Sequence, residues 1–329
     1  MNQFLKEPSR KLFGGSLEES FEWFNHSLTL TKLTPLFRFS KDSLATHAHE
    51  MATTIRRSQQ QIKHSGKLNN DSAGLTSIFS SVSSSRLSEM FFVSCRWIWV
   101  PAQQELGGCI WIIFQFTTLD EKDKQVEQIH IERRMSISDP SSTKVQENSY
   151  ACFLISLNDE PKGEWGDFPL LISRVPGDLL QIVITYLTTR FDTWAIPFRL
   201  GAETLAHLLQ NYIMSVVPMS EEASLPLELT FSTKGIKGLK RITVGVRGQD
   251  AQLWRERGSN FLEELKKHLE YQTAIDFNQL ELSRIGCGGF IIAAEGKLKI
   301  LKPIQQQVIL EILKMETNRD DQNIEIIVE

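Results

Sequence analysis

The sequence predicts an α+β protein in which strands pair antiparallel and helices lie on one side of the sheet. Three observations carry that class. Apolar and polar residues alternate at period two in several runs, the first being "LTLTKL" from Leu28 to Leu33. Elsewhere apolar residues recur at helical spacing, as in Leu205, Leu208, Leu209, Tyr212 and Ile213. Short glycine-containing turns join neighbouring strands directly, as hairpins do and parallel crossovers do not.

A chain of 329 residues that is 41% hydrophobic and 23% charged has the composition of a globular protein of one large domain or two. Its core needs no metal or disulfide. The formal net charge of -4 speaks against a surface coated with nucleic acid, so any basic site has to be local. Cys95, Cys109, Cys152 and Cys287 show no CxxC spacing, and three lie in apolar strand-like runs. They read as buried thiols of a reducing compartment. No apolar run approaches the length of a membrane span, and the N-terminus has no uninterrupted apolar core, so a soluble intracellular protein is expected.

The organisation expected is an N-terminal extension over 1–27, an N-terminal half over 28–200 and a C-terminal half over 201–329. The strand at Leu28 is interrupted by Pro35, which has no amide hydrogen for a ladder, and Ser40 or Asp42 then caps a helix carrying Leu44, Ala48, Met51, Ala52 and Ile55. From 59 to 89 the chain turns polar and serine-rich and reads as a loop or disordered insertion. "FFVSCRWIWVP", "GGCIWIIFQF", "QIHIERRMSIS" and "YACFLISL" read as an antiparallel meander. "PGDLLQIVITYLTTRFD" is rich in β-formers, yet Leu180, Val183, Ile184, Leu187 and Phe191 make a helical stripe. "DTWAIPFRL" repeats the opening device, a short strand broken by Pro197 and followed by a helix. A hairpin of "LPLELTFS" and "LKRITVGV" comes next, then a helix capped by Asn260, strands at "QLELSRI" and "FIIAAEGKLKILKP", a helix at "IQQQVILEILKM" and a last strand, "IEIIVE".

Chemistry is sparse. His47 and His49 are two apart on a helix and so cannot share one ion, which makes "THAHEM" a polar helix face and not a metal site. "RIGCGGF" lacks both phosphate-binding glycine patterns and reads as a hairpin turn around Cys287. "ERRMSIS" matches a basophilic kinase motif at Ser136 or Ser138 but alternates as a strand. No nucleophile, acid–base pair, metal or cofactor site emerges. Charge is more informative: Lys234, Lys237, Lys240, Arg241 and Arg247 fall in a stretch without any acid, and Lys297, Lys299 and Lys302 form a second group. Two readings stand side by side, a surface that contacts DNA phosphates and edge-strand cations that deter aggregation. At the C-terminus, Ile324, Ile326 and Val328 share one face of a strand that another chain can accept by strand addition.

"LTPLFRFS" with its helix, "FDTWAIPFRL" with its helix, and "GKLKIL" with a helix and the closing "IEIIVE" resemble, in that order, the centromere protein L family from about Leu28 to Glu329. The resemblance implies a curved, saddle-like antiparallel sheet backed by helices, no catalysis and no cofactor. It implies a heterodimer with centromere protein N through C-terminal strands. It also implies association with other inner-kinetochore subunits and centromeric nucleosomes, hence a nuclear, centromeric location and no membrane. Pro35 and Pro197 are then expected where a strand leaves the ladder. Alone, such a scaffold is expected to self-associate, a homodimer being one form, or to be poorly soluble. The competing expectations are an autonomous saddle-like nucleic-acid-binding protein, which would be a soluble monomer, and an enzyme whose dispersed residues would converge on a deep pocket.

Overall fold

The computed structural model describes residues 25–68, 87, 89–101, 108–118, 146–156, 165–216, 226–233, 240–256 and 260–301. They fall into two compact units. A middle unit is drawn from Leu33–Ala102 and Gly107–Ala195, and a C-terminal unit from Met1–Lys32 and Ile196–Glu329. Outside the described residues lie the expected strand at "QIHIERRMSIS", the hairpin tip with Lys234 and Lys237, Lys302, the expected helix after Pro303, and the final strand with Ile324, Ile326 and Val328.

The chain opens with β1 (Ser27–Leu33) and then β2 (Leu36–Phe37), which pairs with a different partner. Pro35 stands between the two. Beyond it, Leu36 and Phe37 face Gly166 and Trp165 of a small separate ladder. The proline therefore ends one ladder and the chain starts another, which explains an apolar strand with an interrupted register. The Thr34 amide donates to the Trp194 carbonyl (3.1 Å) and the Trp194 amide to Thr34 Oγ1 (2.8 Å).

Helix α1 (Leu44–Leu68) follows. It runs through the start of the polar stretch in which a loop is expected from Gln59 onward. Gln59 is buried, and its amide donates to the carbonyls of Leu87 (3.2 Å) and Met90 (3.0 Å), so its polarity serves a helix. Strands β3 (Phe91–Val100), β4 (Cys109–Thr118) and β5 (Gln146–Ile155) pair antiparallel in chain order, and β4 pairs directly with β5, where the expected four-strand meander places "QIHIERRMSIS" between them. After β6 (Trp165–Gly166), β7 (Leu170–Arg174) adds a fourth strand beside β5. β4 from Cys109 to Phe114 and β5 from Ala151 to Ile155 are buried on both faces, which is why "CIWIIFQF" reads as continuous apolar sequence without alternation.

Helix α2 (Gly177–Phe191) occupies the segment whose composition suggests a strand. Its buried stripe is Leu179, Val183, Tyr186, Leu187 and Phe191, rotated from the expected one so that Leu180 and Ile184 sit at its margin. Met51 and Ile55 of α1, this stripe, and Ile110, Ile112, Phe114, Cys152 and Leu154 of the sheet make one core.

A line of polar contacts braces α1 against α2 inside this core. Tyr186 donates its hydroxyl hydrogen to Glu50 Oε2 (2.8 Å), so its oxygen is left to accept from His47 Nδ1 (3.2 Å). On the far side of the ring, His47 Nε2 meets Ser43 Oγ at 2.8 Å, and Arg190 Nε donates to Glu50 (3.1 Å). His47 is 1% exposed, whereas His49 points to solvent, so only His49 fits a polar helix face. Ser43, His47 and Glu50 have the residue types of a catalytic triad. Here, however, the tyrosine stands nearer to Nδ1 than Glu50 does, at 3.2 against 3.7 Å, and rings of Phe39, Trp97 and Phe191 surround the imidazole.

Burial, and then the Arg190 charge, hold the His47 pKa below its ordinary 6.5. The unfolded chain therefore takes up this proton first as pH falls, and stability present above about 6.5 declines below it. Glu50, lowered from 4.5 chiefly by the Tyr186 hydrogen bond, adds a loss of the same sign at lower pH. We expect the melting temperature to drop between roughly pH 7 and 5 and a His47→Gln variant to show a flatter profile there. An unchanged slope in that variant would assign the acid sensitivity to other groups.

The C-terminal unit begins at β8 (Ala195–Pro197) and α3 (Ala202–Val216) and continues with β9 (Leu227–Ser232) and β10 (Arg241–Val246). A helix not anticipated from the sequence, α4 (Gly248–Glu256), is followed by α5 (Phe261–Thr273), whose cap Asn260 accepts from the Leu262 amide at 3.2 Å. β11 (Glu281–Gly286), β12 (Phe290–Ala293) and β13 (Lys297–Ile300) complete it. The strand order is β10–β9–β11–β12–β13–β1, antiparallel at every step. Neither unit's ladder closes on itself. With open antiparallel sheets and packed helices, the fold is α+β.

Both glycine turns fall where expected. Gly296, at φ +74°, separates β12 from β13, and the β11–β12 turn holds Cys287, whose Sγ lies 3.3 Å from the Phe290 carbonyl. All four cysteines are free, with Cys95 half-buried and the rest buried. Burial pushes the Cys95 and Cys109 thiols up to about 12 and Cys287 to about 11, so they stay protonated and unreactive at neutral pH.

Candidate nucleic-acid interface

Alternation and register divide the C-terminal sheet into two unlike faces. Leu229 of β9 lies opposite Val244 on one side and Ile285 on the other, Ile285 opposite Ile292, and Ile292 opposite Leu298. This face is covered by helices: Leu205, Leu208, Leu209 and Tyr212 of α3 are buried, and the Tyr212 ring meets Phe290 edge-on at 5.8 Å.

The other face is polar. One rung runs Thr243, Thr230, Arg284, Ala293, Lys297 and Thr29, and the next runs Gly245, Glu228, Gly286, Ile291, Lys299 and Ser27. Five strand spacings make such a rung about 24 Å long. Small residues dominate it, so the few long side chains, all of them charged except Ile291, rise above their neighbours.

The register brings together members of both basic groups. Arg241, opposite Ser232, lies on the same face as Lys297 and Lys299, although β10 and β13 are at opposite sides of this ladder. Lys240 is exposed just before β10, and Arg247 is exposed just after it, where its carbonyl accepts the Asp250 amide (3.0 Å) at the start of α4. Lys297 Nζ donates to Thr29 Oγ1 at 2.7 Å, which orients the ammonium over the sheet. Arg241 meets Glu295 at 3.0 Å and Arg284 lies 3.9 Å from Glu228, both exposed pairs of small energetic weight.

Arg284 is the cation that sequence reasoning misses. Strict alternation in "QLELSRI" puts it on the same face as Leu282, in the core. A register shift between Leu282 and Arg284 inserts one residue and turns Arg284 outward while Leu282 and Ile285 both stay buried. Chemically, guanidinium, ammonium and hydroxyl groups on one sheet face suit repeated phosphate contacts. Among the described residues, no three His, Cys, Asp or Glu side chains gather as a metal site.

The comparison with known families agrees with the resemblance read from the bent strands. Residues 22–327 match the family model of centromere protein L. The chain belongs to the centromere protein L family. As a member it is similar to the inner kinetochore subunit fta1 of Schizosaccharomyces pombe, at 30% identity over 154 residues, 45% of this chain and 52% of that relative. The chain thus spans about half the length of the curated relative it matches. For a centromere protein L family member, the match takes in both proline-bent strands, the whole C-terminal sheet and every cation named above.

Proposed function

We propose that this protein is a non-enzymatic scaffold subunit of the inner kinetochore. It forms a heterodimer with centromere protein N, joins other inner-kinetochore subunits, and helps to recruit or stabilise kinetochore assembly on centromeric nucleosomes for chromosome segregation. The observation that carries this reading is the family match over nearly the whole chain. The similarity to an inner kinetochore subunit supports it. Within the assembly, the polar face bearing Arg241, Arg284, Lys297 and Lys299 lies against DNA phosphates, with Lys234, Lys237, Lys240, Arg247 and Lys302 as further basic residues of the chain. The reading as an autonomous nucleic-acid-binding protein uses the same face without a partner.

Pairing with centromere protein N is assigned to the terminal "IEIIVE", through Ile324, Ile326 and Val328. Ending the chain after Asn323 is expected to leave the body folded, with an unchanged unfolding midpoint, and to abolish co-elution with centromere protein N at micromolar concentration. Undiminished co-elution would remove the terminal strand from the interface. If the full-length chain binds DNA tightly by itself and ignores centromere protein N, the autonomous reading replaces the scaffold.

A further inference from the structure

The polar face of the C-terminal sheet carries acids as well as cations, and each of its arginines has one beside it. Arg241 begins β10, yet its Nη2 donates to Glu295 Oε1 (3.0 Å) in the turn after β12. In strand order that turn lies beyond β9 and β11, about 14 Å from β10 at three strand spacings. Both side chains therefore lie along the sheet surface. Arg284 Nη1 is 3.9 Å from Glu228 Oε1 on the neighbouring strand β9. Glu228 faces Gly245 on one side and Gly286 on the other, so no side chain beside it in its rung screens the carboxylate. Glu281, opposite Ser232, adds a third acid. Arg241, Arg284, Lys297 and Lys299 thus share the face with three carboxylates, and both guanidiniums already have an anion.

A phosphate that meets either arginine has to take the place of a carboxylate. The paired side chains are between 46% and 65% exposed, so the exchange is open to solvent and the pairs resist it only weakly. The displaced carboxylate nevertheless stays close by and repels the phosphate. Lys297 is held in another way: its partner Thr29 Oγ1, at 2.7 Å, is a neutral hydroxyl with no charge to oppose a phosphate.

We infer, on the reading that this face meets DNA phosphates, that Glu228 and Glu295 are built-in competitors of phosphate that hold down the affinity of the isolated chain for duplex DNA. Repulsive groups at a binding surface discriminate as effectively as attractive ones. A contact weakened in this way forms when an assembly tethers it at high effective concentration, and it stays open on DNA met at random. Glu295, at 3.0 Å from its arginine, is the stronger competitor.

The test uses the full chain and a labelled duplex of arbitrary sequence, read by fluorescence anisotropy over a salt series. Glu228→Gln with Glu295→Gln is expected to raise affinity about tenfold at low salt and to steepen the log–log salt slope by up to about 0.9 for each arginine released. The larger share should come from Glu295→Gln. Glu147→Gln with Glu270→Gln, at exposed acids of β5 and α5, changes the net charge equally and is expected to move affinity by less than about twofold. In an Arg241→Gln background, the gain from Glu295→Gln should fall by about half or more, because the arginine it releases is gone. A gain no larger than that of the control pair, an unchanged slope, or a gain undiminished without Arg241 would each overturn the inference. Changing Arg241, Arg284, Lys297 and Lys299 together to glutamine tells two failures apart. Lost binding there, with no gain from the two glutamates, removes the competitors alone, whereas undiminished binding removes DNA from this face and the competitors with it.

Discussion

Replacing Gly296 with valine is expected to cost about 3–5 kcal/mol, a large share of the stability of a domain this size. Two effects add. A side chain at φ +74° is strained by roughly 1–2 kcal/mol. A β-carbon there also falls 2.5 Å from the Phe198 carbonyl oxygen and 3.2 Å from that of Leu30. Neither oxygen is free to retreat. The Leu30 amide donates to the Gly296 carbonyl (2.9 Å), the Phe198 amide to the Leu30 carbonyl (3.4 Å), and the Leu200 amide to the Ala294 carbonyl (3.0 Å). Relief of the clash therefore breaks hydrogen bonds between β1, the segment after Pro197 and the β12–β13 turn. Denaturant unfolding should show a lower midpoint at unchanged slope. Gly245→Ala is the control, since nothing lies within 4 Å of its added carbon. Equal losses at the two positions would refute the steric account.

The second large effect concerns DNA. Changing Arg241, Arg284, Lys297 and Lys299 to glutamine should lower the magnitude of the log–log salt slope by about 0.9 for each phosphate contact removed, or as much as about 3.6 together. Affinity should fall about a hundredfold or more at physiological salt, and equally for unrelated duplex sequences, because phosphates carry no base information. Glutamate at the same positions should abolish association without unfolding, since the side chains oppose the face that holds Leu229, Ile285, Ile292 and Leu298. A matching set at Lys240 and Arg247 separates the polar sheet face from the ends of the hairpin strand. If the four glutamines leave affinity and slope unchanged, this face is a solvated surface and DNA is held elsewhere.

Much of this fold was legible because single residues carry unambiguous backbone constraints. Pro35, Gly296 and Asn260 each marked a boundary that the structure keeps, and Leu205, Leu208, Leu209, Tyr212 and Ile213 are all buried as their spacing requires. What misled was polarity taken as exposure. Gln59 looks like the start of a loop but satisfies two buried carbonyls, and His47 looks like surface but lies in the aromatic core. The cations were visible as two groups far apart in sequence. Their sharing one face depends on register across the strands between β10 and β13, which no local pattern contains.

The shift in β11 has a consequence for descent as well as for geometry. Leu282 faces Phe231 and Arg284 faces Thr230, so Ser283 is the extra residue between two consecutive rungs. A lineage that lost it would keep Leu282 and Ile285 inward and Arg284 outward, giving up the hydrogen bonds of Ser283 Oγ to the Thr230 carbonyl (3.0 Å) and of the Ala294 amide to the Ser283 carbonyl (2.8 Å). β9 has no such spare. Losing Thr230 there would make Leu229 and Phe231 consecutive and force one of these fully buried side chains into water. Gaps between relatives should therefore gather at the middle of β11 and be missing from the middle of β9, so that chain length drifts at one point of the sheet while its neighbour inherits a fixed count.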